Sequence, residues 1–129
     1  MRMSLASLLP RFWRGIGWFG VALLIYLSLA PMPVEIPIEH GDKLGHALAY
    51  AVLMCWWAQL LTTPRQRVWL ALGLIGLGIA IEYAQGWTGW RNFDYFDMLV
   101  NAVGVMLGWA LAAPTPNLLT LAGRTGNRI

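Results

Sequence analysis

Four long stretches of this chain carry no ionised side chain, or nearly none: about Phe12 to Ala30, Leu44 to Leu61, Val68 to about Gln85, and about Asp97 to Ala113. Each approaches the roughly 20 residues that a helix needs to cross a hydrocarbon core about 30 Å thick. Backbone in lipid must satisfy its own hydrogen bonds, and a closed barrel would need many alternating strands of about ten residues, which these continuous runs are not. The runs therefore predict an all-α integral membrane protein, a bundle of four transmembrane helices. Composition bears on the choice at one point. Only 12% of the 129 residues are charged and 58% are hydrophobic, against about 25% charged in a soluble domain, too few to cover a water-facing surface.

The first run also fits a secretory signal peptide, since Arg2, Arg11 and Arg14 precede an apolar stretch ending Ser28-Leu29-Ala30, a small-x-small cleavage pattern. Pro31 would stand immediately after the cut, where proline is poorly accepted, so the run reads as a retained helix. Met3 to Leu9, apolar and flanked by arginines, reads either as a short helix along the interface or as a disordered leader.

Arginine and lysine concentrate in cytoplasmic segments. With the N-terminus cytoplasmic, that side holds Arg2, Arg11, Arg14, Arg65, Arg67, Arg124 and Arg128, and the other holds Lys43 and Arg91. Glu35, Glu39, Asp42, Glu82, Asp94 and Asp97 fall at or near the opposite face. Both termini are predicted inside. Pro31, Pro33 and Pro37 predict an extended segment over Met32 to Glu39, Thr62-Thr63-Pro64 ends the second helix, and Pro114 and Pro116 end the fourth. Residues 1–129 read as one domain, with a motif core at about 42–108 and residues 114–129 as a mobile cytoplasmic tail.

Composition also excludes readings. The nine basic residues are scattered rather than gathered into a stripe, so no nucleic-acid partner is expected despite a pI near 9.5. The single cysteine, Cys55, lies in an apolar run, where a free thiol packs as a small hydrophobe.

Nearly every polar side chain in or beside the helices falls at one membrane face. Asp42 and His46 are four apart, and Tyr50 one turn further continues their stripe inward, flanked by Lys43. Glu82 and Gln85 lie near the outer end of the third helix. Asp97 and Asn101 open the fourth, preceded by Arg91 and Asp94. Intramembrane ionisable groups cost about 2.5–3.5 kcal/mol each on insertion scales, so they face the bundle interior and mark a functional site. Asp42, His46, Glu82 and Asp97 are the candidates for catalytic proton transfer, and Lys43, Tyr50, Gln85, Arg91, Asp94 and Asn101 for substrate binding. Lys43 and Arg91 would hold a phosphate or carboxylate, while Asn101 and Gln85 orient the substrate. No cofactor or metal is predicted: His46, Glu82 and Asp97 have a suitable ligand chemistry but no His-Glu-x-x-His spacing. Other features have structural readings. Gly104 and Gly108, with Gly73, Gly76 and Gly78, predict close helix packing, and Trp56 or Trp57, Trp87, Trp90 and Tyr95 read as interfacial anchors.

The series Asp42-Lys43-Leu44-Gly45-His46, Tyr50, Glu82-x-x-Gln85 and Arg91-x-x-Asp94-x-x-Asp97-x-x-x-Asn101-x-x-Gly104-x-x-x-Gly108 resembles the VanZ-like family of small bacterial membrane proteins. The match spans about Asp42 to Gly108 and strings many polar positions across three apolar helices. The resemblance implies a multi-pass protein of the bacterial cytoplasmic (inner) membrane with a role in the cell envelope and a link to glycopeptide (teicoplanin) resistance.

Three function classes stay open. The chain is an enzyme acting on a lipid-linked headgroup or envelope precursor at the outer leaflet, a binding or transport module for a headgroup or ion, or a structural membrane subunit. Membrane lipids are the common partner, and the oligomeric state is not legible. No serine, threonine or cysteine stands in the motif, which favours acid–base, carboxylate or histidine chemistry over acyl transfer through serine.

Overall fold

The computed structural model describes residues 3–31, 41–91 and 93–126, and among them every regular element is a helix. The order is α1 (Leu5–Leu29), α2 (Gly41–Ala58), α3 (Pro64–Thr88), α4 (Tyr95–Ala112) and α5 (Leu118–Gly126). The expected extended segment Met32 to Glu39 lies outside the described residues. Three helices, α1, α3 and α4, are long and apolar enough to cross a membrane. The second predicted span, α2, is not among them. Its 18 residues equal those of α4, so polarity is the reason: Asp42, Lys43 and His46 occupy its first turns.

Local signals explain the boundaries. Thr63 caps α3 rather than closing α2: its hydroxyl accepts the Gln66 N–H and the Gln66 side chain accepts the Thr63 N–H, each at 3.2 Å, with Pro64 at the first helical position. Asp94 caps α4, its side chain accepting the Phe96 N–H at 2.9 Å. At the N-terminus neither expectation for Met3 to Leu9 is met, because those residues lead into and form the first turns of α1 itself. Pro10, the sixth residue of α1, lies inside the helix, where its ring forgoes the hydrogen bond to the Ala6 carbonyl.

The tail also departs from expectation. Asn117 accepts the Leu119 and Thr120 N–H groups, starting α5 directly after Pro116. The end of α2 holds that start: the Gln59 side chain accepts the Leu118 N–H at 2.8 Å, and its carbonyl accepts from the Asn117 amide. α5 then lies against the first turns of α1.

α2 packs against α4 more extensively than any other pair of helices. The reason is Gly104 and Gly108, which face α2 directly. A Cβ at Gly104 would strike the Ala47 carbonyl oxygen, and one at Gly108 would lie 2.5 Å from the Ala51 oxygen. Tyr50, Leu53, Met54, Leu74, Ile81 and Val105 fill the core around this seam. Gly73 and Gly76 do not serve the packing expected of them, since a Cβ at either would have nothing within 4 Å; only Gly78 of that set faces a neighbour. Outward, the helices expose large apolar side chains, among them Phe19 and Leu23 of α1, Leu72 of α3 and Leu107 of α4. α2 has such a face too, formed by Leu44, Leu48 and Val52 at four-residue intervals.

α1 is fastened at both ends. Trp13 and Trp56 stack with ring centroids 3.6 Å apart, and each indole N–H donates to the other residue's backbone carbonyl at 2.8 Å. At the far end its last carbonyls are taken up by residues that follow the core of α3, described below.

Candidate functional site

The start of α2, the end of α3 and the start of α4 meet at one end of the bundle, and the polar side chains there form two layers. The outer layer is charged. Lys43 donates to Asp94 Oδ2 at 3.0 Å and to Asp97 Oδ1 at 2.5 Å, with its ammonium 5.3 Å from the centre of the Phe96 ring. Glu82, only 1% exposed although ionisable, accepts the Asp94 N–H at 2.7 Å. One turn of loop therefore carries three tasks: Asp94 caps α4, binds Lys43 and anchors Glu82. The hydrogen bond from Lys43, followed by that from the Phe96 N–H, holds the Asp94 carboxyl below the usual aspartate range.

The inner layer is uncharged. Tyr50 on α2 and Asn101 on α4, one turn inward of Asp97, are both fully buried. Gly78, one turn inward of Glu82, completes the layer from α3, and a Cβ there would lie 3.2 Å from both the Tyr50 hydroxyl and Asn101 Nδ2. The Tyr50 hydroxyl and both polar atoms of the Asn101 side chain have no hydrogen-bond partner among the described residues. Buried polar atoms are paired in the great majority of cases, and an unpaired one costs about 1–3 kcal/mol. Three of them at one level is therefore a marked feature.

Of the sequence-predicted residues, Lys43, Glu82, Asp94 and Asp97 share the outer layer, and Tyr50 and Asn101 the inner. His46 is half-buried on α2 between Lys43 and Tyr50. The Asp42 side chain lies outside the described residues. Gln85 and Arg91 belong elsewhere. Gln85 donates to the Ser28 carbonyl at 2.8 Å, Trp90 to that of Leu29 at 2.8 Å, and Arg91 to those of Ala30 and Leu27 at 3.0 and 2.8 Å. These are the last four carbonyls of α1, which have no partner within their own helix, and a guanidinium there also suits the negative end of the helix dipole. The expected anion-holding pair is corrected accordingly: Arg91 is bound to α1 and Lys43 to two carboxylates. Sequence reasoning gave Gly78 a packing role only and Trp90 an anchoring one. The four-residue interval between Gly78 and Glu82 was the available signal for the first. Among the described residues no group of three or more His, Cys, Asp or Glu could hold a metal ion.

No protein-family model matches the chain, and no solved structure matches it. A curated relative from Schizosaccharomyces pombe, "Uncharacterized protein C11E3.10", is 32% identical over 99 residues, covering 72% of this chain and 59% of its own length. The chain thus spans less than two thirds of that relative. Because the relative is a yeast protein, the sequence-based placement in a bacterial inner membrane gains no support from it.

Proposed function

We propose that this chain is a membrane protein of VanZ-like type in which α2 crosses as a fourth span beside α1, α3 and α4, both termini lie in the cytoplasm, and the two-layer site opens to the opposite face. There it binds or acts on the polar head of a lipid-linked or envelope substrate. Supporting the membrane arrangement are the apolar faces that all four long helices turn outward, far more than a soluble monomer exposes. α2, too polar to qualify alone, is shielded along one side by α4.

The observation that carries the site is the set of unpaired polar atoms of Tyr50 and Asn101 beside the buried Glu82. An amide offers a donor and an acceptor, and a phenol either. The group that complements them is a neutral hydroxyl or amide, such as sugar and peptide heads carry. The outer layer sets three carboxyl groups against the single Lys43 ammonium, which disfavours a phosphate as the recognised part. Glu82 is the proton-exchanging group within reach of what enters.

Glu82→Gln and Asn101→Leu test this reading. Glu82 is held by a backbone N–H rather than by a cation, so neither change strands a buried charge. Melting in detergent should show stability unchanged or raised by about 0.5–2 kcal/mol, while native mass spectrometry of protein extracted from membranes should show loss of co-purifying lipid-linked species. A loss of about 3–5 kcal/mol for Glu82→Gln, the cost of breaking a buried ion pair, would make the cluster a packing network and end the proposal.

A further inference from the structure

The opposite end of the bundle carries a different signal. The sequence has no Asp or Glu before Glu35 or after Asp97, and none in the α2–α3 connection. Arg67 is used within the fold, donating to the Leu61 and Ala58 carbonyls at the end of α2. Arg11, Arg14 and Arg124 are exposed, and among the described residues no carboxylate side chain stands at this end to neutralise them. Beside Arg11 an open apolar groove of about 560 Å³ runs along the first turns of α1, lined by Leu5, Leu8, Leu9 and Phe12.

Taking the membrane arrangement proposed above, on which this step rests, we infer that this end is a docking surface for an anionic phospholipid. Its phosphate would sit on Arg11, Arg14 and Arg124, and an acyl chain in the groove. Helix length places the surface at the right depth. With 25 residues α1 is about 37 Å long, longer than the roughly 30 Å core, and its C-terminal end is tied to the site. The surplus falls at the N-terminal turns, at headgroup level. α5 joins it there: Gly123 faces Ala6 at 3.6 Å from its Cβ position, while Leu121 and Arg124 face outward. A short helix with apolar and basic residues exposed together lies in the interface plane and favours anionic lipid. The groove adjoining Arg11 commits the occupant to a lipid, since a soluble anion would use the arginines alone.

The test uses the full chain in nanodiscs of phosphatidylcholine with or without phosphatidylglycerol, read by melting temperature and by phosphatidylglycerol retained in native mass spectrometry. Phosphatidylglycerol should raise the melting temperature, salt should weaken the effect, and affinity should fall about fivefold for each arginine neutralised, vanishing in Arg11→Gln/Arg14→Gln/Arg124→Gln. Arg124→Gln alone, on the exposed last turn of α5, reads the same dependence if the triple variant does not fold. Soluble glycerophosphate at equal concentration should not shift the melt. Equal stability in both lipids, a gain that survives Arg124→Gln at full size, or a glycerophosphate effect matching the lipid overturns the inference. Failure to enter either bilayer overturns the membrane reading instead.

Discussion

A single methyl group decides whether α2 and α4 can meet as they do. At Gly104 it would press on the backbone of Ala47, which cannot swing aside as a side chain would. Gly104→Ala should therefore cost about 1–3 kcal/mol in a detergent melt, the range for overpacking. Gly76→Ala meets nothing and should be neutral or gain up to about 1 kcal/mol from helix propensity; equal losses at the two positions would show that propensity, not the seam, governs. At this scale much of the polar site was legible. Intervals of three and four residues put His46 between Lys43 and Tyr50 along α2 and Asn101 one turn below Asp97 on α4, with Tyr50 and Asn101 turned fully inward. The roles of Gln85 and Arg91 were not, because their partners are carbonyls of α1. Backbone oxygens at a helix end are the same in every sequence, so no residue pattern announces that a distant guanidinium will serve them.

Among the elements, α5 tests how far a cap can substitute for length. Nine residues containing Gly123 and Gly126 are too few to form a stable helix in isolation, and the prolines before it read as the start of an irregular tail. Two things offset that: Asn117 at the cap, and Gln59 reaching from α2 to the first turn. Asn117→Ala should cost about 1 kcal/mol locally, seen as faster amide exchange over residues 118–126 with the rest of the bundle unchanged. Exchange already at coil rates in the native chain would show that α5 is not held. The long helices were legible to within about four residues at every end except the start of α1, which lies seven residues before Phe12, because apolar runs of this length admit few alternatives. The status of α2 was not, since hydropathy weighs a residue without knowing whether its neighbour is lipid, water or another helix.

For the molecule as a whole, charge separates along the bundle: the Glu82, Asp94 and Asp97 cluster at one end, Arg11, Arg14, Arg65 and Arg124 at the other. In a Cys55→Ala background, Trp87→Cys should react with an impermeant maleimide in intact cells and Thr62→Cys only after permeabilisation. The reverse would put the site in the cytoplasm, and equal labelling of both would remove the crossing between them. The preference of α2 for α4 has a further consequence, one of timing. On the ribosome α2 emerges well before α4, is not apolar enough to cross a membrane by itself, and must wait for all of α3 before the surface around Gly104 and Gly108 that it needs has been made. Its integration should be deferred, so that a nascent chain halted after Thr88 leaves residues 41–58 open to protease and one extended past Ala112 protects them.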